Sequence, residues 1–148
     1  MIILDSAAKS IAIMLAANVR TNQLPFVCTA VDLNSTAFIP VSTDGTTDNT
    51  NPVTAAAAPA SGYSRQLKFL SVYNADTAAA TVYVQLTDGS NTRIVFTATL
   101  LQGYKLIFAQ NEFAVYDTNG AKQGTGTAGA TGPAGTPGTD YWLYVTNN

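Results

Sequence analysis

The stretch "TVYVQLTDGSNTRIVFTATL", residues 81–100, decides the fold class. Val82, Val84 and Leu86 alternate with Thr81, Tyr83, Gln85 and Thr87, the period of a strand with one covered face. "DGSN" follows as a hairpin turn, and a second alternation begins, with Ile94, Phe96, Ala98 and Leu100 on one face. Neighbouring segments repeat the pattern at intervals of about ten residues. "RQLKFLSVYN" ends at the turn "NADTAA"; "LQG" turns the chain into "YKLIF" and "EFAVYD", and "TNG" closes the series. "QLPFVCTAVDL" adds an extended run that begins at Pro25. Strands with one apolar face must cover one another, so the sequence predicts an all-β, antiparallel β-sandwich or jelly-roll-like domain.

Two segments are harder to read. In residues 6–19, Ile11, Ile13 and Leu15 alternate, while Ile11, Met14, Leu15 and Val19 also keep helical spacing behind a cap at Asp5 or Ser6. The strand reading is adopted, because a lone helix would need a face to cover. Residues 42–62, "STDGTTDNTNPVTAAAAPASG", hold few large apolar groups and predict a long surface loop or hairpin excursion with a short strand at 52–56.

Beyond the strands, "GTAGATGPAGTPGTD" places Gly126, Gly129, Gly132, Gly135 and Gly138 at every third position, with Pro133 and Pro137 between them. Glycine at every third residue is what the crowded axis of a collagen triple helix requires. Five triplets also suit a plain linker, and both readings stay open. Either way a homotrimer is the leading oligomer, because twofold pairing has no use for this period. "YWLYVTNN" ends the chain, and Tyr141, Trp142 and Tyr144 make it too apolar for a loose end. The expected organisation is a β-domain over 1–122, a collagen-like tether over 123–140 and a docking strand over 141–148. The candidate assembly residues are these five glycines, Pro133, Pro137, Tyr141, Trp142 and Tyr144.

Composition narrows the function. Charged residues are 11% of 148, and apolar residues 47%, which is enough for a core. The seven basic residues stand singly, which argues against nucleic acid as a partner. The chain has no histidine, and Cys28 is its one cysteine, so a general base of the usual kind, a zinc site and an internal disulfide are not expected. Cys28 lies in "LPFVCTAV" and reads as a small packed hydrophobe. Most acidic residues fall in apparent turns, where they support the backbone. Asp44, Asp48 and Asn49 resemble a calcium loop in composition only. No phosphate loop, nucleophile elbow or dinucleotide fingerprint is present, so neither an enzyme nor a cofactor is expected. "IAIMLAA" is far short of a membrane span, and the start lacks the basic region of a signal peptide, which points to folding in a cytoplasm and to no membrane partner.

Residues 18–124 resemble a group of small virion structural proteins of tailed bacteriophages. The likeness rests on "RQLKFLSVYNADT" (65–77), a strand, the turn "DGSN", "TR" and a Gly-containing turn before an aromatic strand. The resemblance implies a β-rich subunit of a phage particle, either a head decoration (cement) protein or part of a fibre, collar or tail adaptor. The partner it implies is the major capsid protein or another virion protein. It carries over no residue with a chemical role. A bacterial surface or spore-coat protein with a collagen-like segment is the competing reading from another class.

Overall fold

A computed structural model describes residues 1–124. Eleven strands make two antiparallel sheets, with no helix among the described residues. In chain order they are β1 (Ile2–Leu4), β2 (Ser10–Leu15), β3 (Pro25–Leu33), β4 (Phe38–Thr46), β5 (Val53–Ala56), β6 (Ser64–Tyr73), β7 (Ala80–Thr87), β8 (Thr92–Leu100), β9 (Lys105–Ala109), β10 (Glu112–Tyr116) and β11 (Lys122–Gln123). The first sheet has the order β11-β10-β9-β6-β3-β4. One edge of β6 is shared, with β1 on Arg65–Leu67 and β9 on Leu70–Tyr73. The second sheet has the order β5-β2-β7-β8.

The inward faces of both sheets meet in one hydrophobic cluster. Ile11, Ile13, Leu15, Val82, Val84 and Leu100 come from the second sheet; Phe26, Cys28, Leu67, Leu70, Val72, Leu106 and Phe108 come from the first. Phe113 closes one side of this core, stacked on Phe96 with ring centroids 4.6 Å apart and tilted on Phe108 at 4.7 Å. The two sheets are thus tied together by aromatic contact near β8 and β10.

The strand adopted for residues 6–19 is present as β2, and its partner β7 shows why. Ile11, Ile13 and Leu15 sit opposite Leu86, Val84 and Val82, so the alternating set is the buried one. The predicted loop over 42–62 is corrected in its first part. β4 runs through to Thr46 in unbroken register with β3, from Leu33↔Phe38 to Pro25↔Thr46. It is an edge strand, and its inward residues are only half buried: Val41, Thr43 and Gly45. At Gly45 a Cβ would stand 3.0 Å from the Phe26 ring, so a small residue there marks close packing rather than a loop. The short strand expected at 52–56 is β5.

A second correction concerns β8. The register between β7 and β8 shifts after Val84↔Phe96, so that Gln85 faces Ile94 and Val95 is the extra residue of a bulge. Phe96, Ala98 and Leu100 do share the inward face. Ile94 is turned outward with Gln85 and is 55% exposed.

Cys28 is 2% exposed, and burial pushes its thiol up to about 11. A thiol so buried stays protonated near neutral pH and is out of a reagent's reach. A disulfide reagent such as DTNB is therefore expected to leave the native protein unlabelled and to react once denaturant unfolds it. Rapid labelling under native conditions would contradict the packing of β3.

Candidate functional site

The ten residues singled out for assembly, from Gly126 to Tyr144, lie outside the described residues. The described part shows what the β-domain does with its polar groups and which surfaces it leaves for a partner.

The segment "RQLKFLSVYNADT" has a structural use at nearly every position. Leu67, Leu70 and Val72 point into the core. Asn74 is fully buried. Its amide donates to the carbonyls of Ala78 (2.9 Å) and Leu100 (2.8 Å), and its Oδ1 accepts from Asp76 N–H. Asp76 is 1% exposed and accepts from the backbone N–H groups of Arg20 (2.7 Å), Thr21 (2.7 Å), Asn22 (3.1 Å) and Thr77 (2.9 Å), and from Thr21 Oγ1 (2.7 Å). The first of these donors, Arg20 N–H, does most to hold its carboxyl well below the ordinary carboxylate range. The β6–β7 turn thereby grips the β2–β3 connection.

Arg65 and Asp32 form a buried pair that crosses from β6 to β3. Arg65 Nε and Nη2 donate to Asp32 Oδ1 (2.6 Å) and Oδ2 (2.8 Å), and Nη1 donates to Ala57 O (2.9 Å). Arg65 holds the Asp32 carboxyl below its usual range. Asp32 is thus a strand residue with a partner, not one of the turn acids. The signal in the sequence was a charge embedded in each of two apolar runs; its partner 33 residues away carried no local mark. Asp88 and Asp117 do support turns, as expected. Asp88 accepts from Ser90 N–H, Asn91 N–H and Arg93, and these bonds hold it at about 2, with the Arg93 contact the largest.

Asp44, Asp48 and Asn49 are not gathered round a common point. Asp48 accepts from the Asn51 amide (3.0 Å). Asn49, at φ 52°, accepts from Val19 N–H through its side chain and from Leu15 N–H through its carbonyl. Among the described residues no three His, Cys, Asp or Glu side chains converge. A surface hollow of about 640 Å³ lies where Ser6, Asn34, Ser61 and Tyr63 meet. Its acid, Asp5, is taken by Lys9 at 2.6 Å, so no free acid–base pair faces it.

The surfaces differ in charge. The outward positions of the second sheet include Ala12, Met14, Thr54, Tyr83, Gln85 and Ile94, and none of the outward residues is charged. Thr81 and Thr99 hydroxyls bond across the strands at 2.8 Å, and the Gln85 amide donates to Met14 Sδ at 2.8 Å. These cross-strand pairs already satisfy one another, which lowers the cost of covering them. The outer face of the first sheet carries Asp44 beside Val27, and Lys105 lies over the Tyr73 ring at 5.9 Å. No family model, curated protein or solved structure matches this chain.

Proposed function

We propose that this chain is a non-enzymatic structural subunit of a tailed-phage virion, assembled in the host cytoplasm as a homotrimer that decorates the outside of the head. In this reading the two sheets over one core are a β-sandwich. Residues 123–140 are a collagen-like tether, and residues 141–148 dock on the major capsid protein or another virion protein. The observation that carries it is the way the domain spends its polar chemistry. Its buried carboxylates Asp32 and Asp76 are saturated by structural bonds, while the outward face of the four-stranded sheet carries no charge among the described residues. A neutral face suits contact with another protein surface better than contact with phosphate or an ionic substrate. The glycine period supplies the threefold element.

Light scattering of the full chain beside a version ending at Gly124 tests this. The cut is placed there because β11 reaches Gln123, and Gln123 donates to Asp117 at 3.0 Å. The expected result is a mass of three chains for the full protein and a lower mass for the truncated one. A monomer in both preparations would sink the trimer.

A further inference from the structure

We infer that the β10–β11 turn is a site of spontaneous covalent modification: Asn119 deamidates through the backbone nitrogen of Gly120, the native turn holds the reaction back, and the product unpairs β11.

The chemistry runs best where an asparagine precedes a residue without a side chain, and Asn119–Gly120 is the one such pair in the sequence. The Gly120 nitrogen gives up its proton and attacks Cγ of the Asn119 side chain. A C–N bond forms, the C–NH2 bond breaks and ammonia leaves, so the product is a five-membered succinimide. Water then opens the ring at one of its two carbonyls. One opening gives aspartate. The other gives isoaspartate, whose main chain runs through the side-chain carbon and is one methylene longer. Asparagine counts among the thermolabile residues. Both residues are exposed, and beyond the chain neighbours no heavy atom lies within 4 Å of the place a Cβ on Gly120 would take. Water therefore reaches the pair.

The turn decides the rate. Gly120 N–H donates to Asp117 O (3.1 Å), Asp117 N–H donates to Ala121 O (3.0 Å), and Gly120 has a φ of 81°. These are the marks of a type I turn closed by a left-handed glycine, which holds ψ of its third residue, Asn119, at ~0°. Ring closure needs the Asn119 Cβ to eclipse the Gly120 nitrogen, a large rotation of ψ out of that well. The turn must open before the ring can close. Asp117 keeps it shut: Oδ1 accepts from Asn119 N–H and Ala121 N–H (2.9 Å each), and Oδ2 accepts from the Gln123 amide (3.0 Å). A carboxylate so placed also opposes loss of the proton from the neighbouring Gly120 N–H.

What has to open is small. β11 pairs with β10 through Val115↔Gln123 and Tyr116↔Lys122, and its ion pair from Lys122 to Glu112 is exposed and adds little. Such an element sits at the low end of local stability and opens while the two sheets stay folded. Conversion is not undone by closing again. Isoaspartate lengthens the loop and sets a second carboxylate beside that of Asp117, so β11 loses its place on β10.

The full chain is incubated in mildly alkaline buffer with and without urea, and the Asp117→Ala and Asp88→Ala variants in buffer alone. Peptide mapping by mass spectrometry and labelling by an isoaspartate-specific methyltransferase report conversion at Asn119. The native wild type should convert roughly tenfold or more slowly than the unfolded chain. Asp117→Ala removes three accepted bonds and should recover most of that difference. Asp88→Ala removes the cap of the β7–β8 turn and should leave the rate at Asn119 unchanged. No isoaspartate at this position in urea overturns the site. Native conversion as fast as in urea, or equal acceleration by both variants, overturns the control by the turn. Hydrogen exchange on aged protein completes the test: faster exchange across Val115–Gln123 with β6 unchanged is expected, and unaltered exchange there overturns the unpairing of β11.

Discussion

Asp76→Ala lowers the melting temperature by ~10 °C or more. The carboxylate gathers five donors from two pieces of chain, residues 20–22 and Thr77, and all five lose their acceptor together. The N–H groups of Arg20, Thr21 and Asn22 belong to a connection with no ladder of its own, and Asp76 is the acceptor that fixes it to the β6–β7 turn. Asp76→Asn separates geometry from charge. Oδ1 still meets four of the donors, while an NH2 group replaces Oδ2 and confronts Arg20 N–H. The asparagine variant should therefore melt between the wild type and the alanine variant. Equal melting of all three proteins would show that the β2–β3 connection is held by something else.

The same residue contributes to the acid limb of the stability curve, beside Asp32 and Asp88. Its folded value is depressed below the ordinary 3.8, so its contribution is fully present above that value and is lost as pH falls towards the folded one. Between pH 7 and pH 4 the wild type should keep this contribution whole. Below pH 4 the wild type loses it while Asp76→Asn has none to lose, so the two thermal transitions converge on acidification.

The core was legible because β7 obeys the rule of two without exception, and Val82 and Val84 are fully buried where alternation puts them. The turns were legible through Asp88 and Asp117, whose carboxylates cap their own loops. What failed did so for stated reasons. A bulge adds one residue and reverses the face of everything before it, and nothing in "TRIVFTATL" marks Val95 as the extra one. β4 was hidden because this edge strand holds no fully buried residue and needs few large side chains. The two buried carboxylates looked alike in the sequence. Asp76 sits in a turn-like string and does what such a residue does, on a larger scale, whereas Asp32 answers to a residue on another strand.

That pair gives the second large effect. Arg65→Met leaves the Asp32 carboxylate buried and without a counter-ion, and should cost about 3–5 kcal/mol in urea unfolding. Removing both charges together, as Asp32→Leu with Arg65→Met, should restore most of that loss, since a buried ion pair often does no better than apolar groups of similar volume. A double variant as unstable as the single one would mean that the bond from Arg65 to Ala57 O, rather than the ion pair, is what matters. Acid distinguishes the cases further. Beside Arg65 the carboxyl of Asp32 is held low; alone in the same place its value rises, and protonation relieves the penalty. The gap between wild type and Arg65→Met should therefore narrow as pH falls, while the double variant shows no such trend. The pair also stands just past the register shift at Thr29/Ala30, where β3 must find its place again on β6. A slip of one residue there would set Asp32 against Ser64 or Gln66 and take it from its counter-ion, so the two charges stabilise little in sum and yet select one register. Hydrogen exchange should show this in the double variant, as faster exchange across Ala30–Leu33 than in the wild type despite similar overall stability.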